Sequence, residues 1–132
     1  MPSENLHIPR EKLSEEARLL HYAIASLMEE LEAVDWYRQR ADDSEDESLR
    51  EILLHNMREE MEHASMLIEW VRRRNPDFAG PIKTYLFTQR PIVGIEKAAE
   101  AAGAGGAAAA GGKAEAKRHD LIPTVGSLKG QR

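Results

Sequence analysis

Cysteine is absent from the 132 residues. That excludes disulfides, thiolate metal ligands and a thiol nucleophile. Large apolar side chains are scarce: Val, Ile, Leu and Phe together number 27, and much of the 42% hydrophobic content is Ala. A single chain of this kind builds a thin core, so self-association is expected. No apolar run approaches the roughly 20 residues needed to cross a bilayer, so no membrane partner is expected. An excess of basic charge is also missing. The formal net charge of −5 argues against a nucleic-acid binder, whose footprint should be positive, and suits the handling of cations. Met1-Pro2-Ser3-Glu4-Asn5 lacks the basic and apolar regions of a secretory leader. The expectation is a cytosolic protein.

What the chain does have is helical periodicity. Residues 1–11 are polar, contain Pro2 and Pro9, and read as a flexible arm. A first helix is expected over residues 14–40, opened by Ser14 with Glu15 and Glu16 in the first turn. Leu13, Ala17, Leu20, Ile24, Leu27, Leu31 and Val34 follow a four-three spacing, a seam suited to antiparallel packing. Residues 41–46 form a polar break, with Ser44 or an Asp as the next cap. A second helix is expected over residues 45–74. It ends on Arg72, Arg73 and Arg74, which favour the C-terminal dipole, and Asn75-Pro76 stops it. The fold class is therefore all-α, built on a long antiparallel hairpin. A short helix within residues 77–90 should pack on it or on a neighbouring subunit. Pro91 suits the first position of a further helix ending near Ala102.

The second helix carries the chemistry. Leu53, Met57, Ala64, Leu67 and Val71 mark its apolar stripe, and Glu60 falls inside it. An unpaired carboxylate there is costly to bury. His63 lies three residues on, one turn along the same side, so both side chains can reach one cation. On the first helix, Glu30 lies between Leu27 and Val34 beside the facing seam. Carboxylate-bridged di-iron bundles draw one Glu from each of two helices and Glu-x-x-His from each of two others. This chain offers half of that set. A two-fold dimer would supply the rest, and a four-helix bundle would form only on dimerisation. Glu59, four residues before His63, is a rival ligand. Oxygen and imidazole donors suit iron, zinc or manganese. Glu-x-x-His is also a common accident in a chain that is 31% charged.

Glu29 and Glu32 share the outer face of the first helix. They read as a solvated face or as an acidic pair that attracts cations. Trp36 lies on the same side, where an exposed ring suggests an oligomer contact. Tyr37, two turns from Glu30, could hydrogen-bond a ligand, close off the site or simply pack. His21 and His55 lie off the ligand face. Residues 103–119 are mostly Ala and Gly and read as a flexible linker. Apolar residues then return within residues 120–132. That pattern fits a peptide captured by a partner's groove or a frayed terminus.

At these residues the chain resembles the encapsulated ferritins, ferritin-like proteins carried inside encapsulin shells. The matching text is Met28-Glu29-Glu30-Leu31-Glu32-Ala33-Val34-Asp35-Trp36-Tyr37, His55-Asn56, Glu59-Glu60-Met61-Glu62-His63-Ala64 and Thr84-Tyr85-Leu86-Phe87-Thr88. Separately, Thr124-Val125-Gly126-Ser127-Leu128-Lys129-Gly130 is similar to the peptide that loads cargo into encapsulins. The resemblance implies a ferroxidase that oxidises Fe(II) to Fe(III) with dioxygen. Its di-iron centre, two ions per dimer, would lie between subunits on Glu30, Glu60 and His63 of both chains, with Glu60 bridging. It further implies that Glu29 and Glu32, with Trp36 beside them, form a site through which iron enters, and that Tyr37 lies close to the centre. Five dimers would form a ring-shaped decamer in the lumen of an encapsulin compartment in the cytoplasm, and residues 120–132 would dock to the shell. Two other readings stay open. One is a non-catalytic helical adaptor; the other is a di-metal oxidase of an organic substrate, which needs an apolar pocket beside the metals.

Overall fold

The computed structural model describes residues 6–107, with side chains through residue 103. The expected docking residues Thr124 to Gly130, and most of the expected linker, lie outside the described residues. Four α-helices and no strand occur among the described residues: α1 (Glu15–Asp43), α2 (Glu47–Arg74), α3 (Pro76–Tyr85) and α4 (Ile92–Ala107). A short 3-10 turn, Arg10–Lys12, precedes them at the end of the expected arm. The chain divides after Phe87 into two compact units, the first holding α1 to α3 and the second holding α4.

Local chemistry sets the helix ends. The Ser14 hydroxyl accepts from the Ala17 N–H at 3.1 Å and starts α1, with Glu15 and Glu16 in the first turn. α1 runs to Asp43, three residues beyond the expected end. Ala41 is fully buried, and Arg38 pairs with Asp42 one turn on at 3.2 Å. Packing and an i,i+4 pair thus extend the helix through residues that look like turn formers. Residues 44–46 alone remain as the connection. Asp46, not Ser44, caps α2: its carboxylate accepts from the Leu49 N–H at 2.9 Å and from the Ser48 hydroxyl at 2.6 Å. Those two bonds hold the Asp46 carboxyl below its usual range, Ser48 contributing most. Asn75 serves twice. Its N–H donates to Val71 at 2.8 Å as α2 ends, and its side chain accepts from the Phe78 N–H at 2.9 Å as α3 begins on Pro76.

α1 and α2 pack against each other, and α3 packs on α2. The residues buried along the hairpin are Ala23 and Ala41 on α1 and Ala64 and Val71 on α2. Ala at three of these four positions lets the two backbones approach closely. The expected α2 stripe is buried at Ala64 and Val71. The expected α1 seam is only partly covered: Ile24 is 38% and Leu31 53% exposed. Two helices bury only the line along which they touch, so apolar residues to either side stay open. Ala41→Leu should overpack that line and cost about 1–3 kcal/mol. Thermal unfolding of the variant measures this, and an unchanged midpoint would contradict the close approach at Ala41.

In the second unit, the Pro91 carbonyl accepts from the Ile95 N–H at 3.1 Å, so Pro91 precedes the first helical residue rather than occupying it. α4 continues to Ala107, five residues past the expected end and into the expected linker. Ala is the strongest helix former, and here it outweighs the cost of about 1 kcal/mol that each interior Gly adds.

Candidate metal centre

α1 brings Glu30, and one turn of α2 brings Glu60 and His63. His63 Nδ1 lies 3.0 Å from Glu60 Oε2 and 3.6 Å from Glu30 Oε2. One donor atom from each of the three lies within 4.8 Å of the others. This is the one group of three or more potential metal donors among the described residues. The sequence placed the three side chains on facing helices; the structure makes them converge.

The cluster is half-buried. The side chains of Glu30 and Glu60 are 25% and 22% exposed, and that of His63 is 44% exposed. The three groups hydrogen-bond to one another and perturb one another's pKa values. A hydrogen bond between the carboxyls, then burial, raises the Glu30 pKa above its usual range. The same hydrogen bond, with that from His63, lowers that of Glu60. The hydrogen bond to Glu60, with the charge of Glu30 nearby, raises that of His63. Two hard oxygen donors and an imidazole fit a divalent transition metal, because a cation can replace these hydrogen bonds and satisfy all three groups. Three donors from one chain would leave positions open on such a metal.

The remaining predicted residues stand outside this cluster. Glu59 lies beside His55, with Nε2–Oε1 at 3.8 Å, and is not part of the group of three donors. Glu29 is exposed and Glu32 half-buried, and neither joins a group of three donors. Trp36 is 48% exposed. Tyr37 is half-buried and makes no hydrogen bond to Glu30, Glu60 or His63. Both rings instead meet Arg40, whose guanidinium carbon lies 5.8 Å from the Trp36 ring centre and 5.6 Å from that of Tyr37. Sequence reasoning passed over Arg40. The signal was its spacing, four residues after Trp36 and three after Tyr37, which puts all three on one side of a helix. A cavity of about 490 Å³ lies along α2, lined by Ser65, Met66, Glu69, Trp70 and Arg73. None of the three donors lines it, so it gives no support to an organic substrate beside the metals.

A helical hairpin with one Glu on its first helix and Glu-x-x-His on its second carries donor types that ferritin-like carboxylate proteins place on their helices. Residues 5–89 match the EncFtn-like family, and the chain belongs to it. The chain is 51% identical over 130 residues to an encapsulated ferritin-like protein of Rhodospirillum rubrum, covering 98% of this chain and 91% of that one. It is 47% identical over 95 residues to a ferritin-like protein of Thermotoga maritima, covering 72% and 83% of the two chains. The crystal structure of a protein from Nitrosomonas europaea superposes with a TM-score of 0.65 at 52% identity, covering 67% of this chain and 97% of that one.

Proposed function

We propose that the protein is a ferroxidase: it binds Fe(II) as substrate and passes its electron to dioxygen. The observation that carries this reading is the convergence of Glu30, Glu60 and His63, a donor set with half the ligands of a di-iron site. A second copy related by a two-fold axis completes it. The four carboxylates of such a pair balance the charge of two Fe(II) ions, so the filled site is inexpensive to bury. Each Fe(II) loses one electron, and dioxygen is the acceptor. By analogy with other carboxylate-bridged di-iron bundles, Glu60 is suited to bridging and Glu30 and His63 to terminal positions. Glu29 and Glu32 would draw cations toward the pair by charge. Family membership supports iron handling. The name of the Rhodospirillum rubrum relative supports a place inside an encapsulin shell, with residues 120–132 as the docking segment. The resemblance extends the assembly to a ring of five dimers.

The test mixes anaerobic protein with Fe(II), admits air, and follows oxygen uptake and Fe(III) absorbance. Uptake should rise with the fraction of paired chains. A non-catalytic adaptor would show neither signal, and that result would end the ferroxidase reading.

The shifted pKa values of the cluster predict a pH dependence. Binding a metal requires neutral His63 and two ionised carboxyls. Because the His63 and Glu30 pKa values are raised, protons compete from higher pH than they would at free side chains. Affinity should therefore weaken as pH falls through the raised His63 pKa, starting above the ordinary 6.5. Calorimetric titration with Co(II) in buffers of different ionisation enthalpy should show proton release near neutrality. Affinity that stays flat across that range, with no release, counts against these three ligands.

A further inference from the structure

Every Trp and Tyr ring on α1 and α2 has an arginine against it. The guanidinium-to-centroid distances are 5.8 Å for Arg10 and Tyr22, 5.8 Å for Arg40 and Trp36, 5.6 Å for Arg40 and Tyr37, and 5.7 Å for Arg74 and Trp70. Significant contacts of this kind occur roughly once per 70–80 residues, and here four fall within residues 10–74. The caps are also held in place. Arg74 donates to Glu16 at 3.0 and 2.9 Å, and Arg10 donates to the Tyr22 hydroxyl at 2.5 Å. Arg40 spans two rings at once.

We propose that these arginines guard the hairpin's Trp and Tyr rings against one-electron oxidation, with Arg40 shielding the pair about two turns beyond Glu30. A cation over a neutral ring is attracted by the electrons of its face. Removing one electron leaves a ring cation, and the same guanidinium then repels it. The cap thus favours the reduced ring and opposes the oxidised one. Trp36, at 48% exposure, is open to small diffusing oxidants. The need for protection rests on the ferroxidase reading. Fe(II) and dioxygen yield partly reduced oxygen species, and such a species takes one electron from an indole or phenol while the N–H or O–H proton passes to water. The chain also holds no thiol that such species could oxidise.

The experiment uses full-length, metal-free protein illuminated with ruthenium tris-bipyridine and persulfate. The excited complex gives an electron to persulfate, and the resulting Ru(III) takes one from a ring. Peptide mass spectrometry counts oxidised Trp36 and Tyr37. Arg40→Gln should raise their oxidation about fivefold, the factor equivalent to losing one exposed cation–π contact. Arg40→Lys should keep most of the protection. Arg38→Gln, which loses the same charge from an arginine paired with Asp42, should change nothing. Acrylamide quenching of Trp fluorescence reports ring exposure and should stay constant. The proposal fails if Arg40→Gln oxidises no faster, if Arg38→Gln oxidises equally fast, or if quenching rises in step with oxidation. Should Arg40→Gln not fold, Arg74→Gln read at Trp70 makes the same test. Since the assay contains no iron, its failure leaves the ferroxidase reading standing, and failure of that reading leaves the caps measurable.

Discussion

Glu60→Gln should lower Fe(II)-dependent oxygen uptake by about 100-fold or more, the equivalent of at least about 2.7 kcal/mol of transition-state stabilisation. The amide has the volume of the carboxyl but neither its charge nor a second anionic oxygen. Glu60 is also the hub of the cluster: Glu30 and His63 both take their largest electrostatic perturbation from it. Its loss therefore removes one ligand and unsettles the other two. The helices should survive, because Glu60 is part-exposed and is not one of the buried residues of the hairpin. Circular dichroism and thermal unfolding separate the two effects. Undiminished oxygen uptake in a folded Glu60→Gln protein would remove Glu60 from the site.

Deleting residues 120–132 should abolish co-purification with an encapsulin shell and leave iron oxidation in solution intact. A short peptide on a tether binds through a few apolar anchors in a groove. Val125 and Leu128 are the largest apolar side chains within residues 124–130. Burying each is worth about 1.5–3 kcal/mol, so losing both should weaken docking by well over 100-fold. Val125→Asp with Leu128→Asp should then match the deletion without shortening the chain. Co-expression with a shell protein, followed by gel analysis of purified shells, reads the outcome directly. Full loading of either variant would mean that some other segment docks.

The two proposals draw on different parts of the chain. The first needs register between helices; the second needs only a contiguous string of residues. That difference explains what could be read in advance. Ser14, Asn75 and Pro76 announce helix ends because capping is a matter of neighbours along the chain. Glu60 stood out because a carboxylate interrupts an apolar stripe. The cap of α2 was ambiguous between Ser44 and an Asp, and Asp46 holds it because Ala41 is buried and carries α1 forward to Asp43. Leu31 and Ile24 belong to a seam by spacing, yet both are exposed, because two packed helices bury only the line along which they touch. The choice between Glu59 and Glu60 depended on which side chain α2 turns inward, and Glu59 lies beside His55, outside the group of three donors.

By itself the sequence determined two long helices, the cap of the first, and which residue types each could offer to a cation. Those features depend on a 3.6-residue period and on contacts within a turn or two. Only the tertiary structure decided that Glu30 arrives at Glu60 and His63. That meeting depends on the axial register of α1 against α2, which the three-residue connection and the packing of the buried Ala positions constrain and which no local pattern encodes. The stacking of Arg40 on Trp36 and Tyr37 had a legible spacing, but its geometry was settled by rotamers that only the folded helix selects.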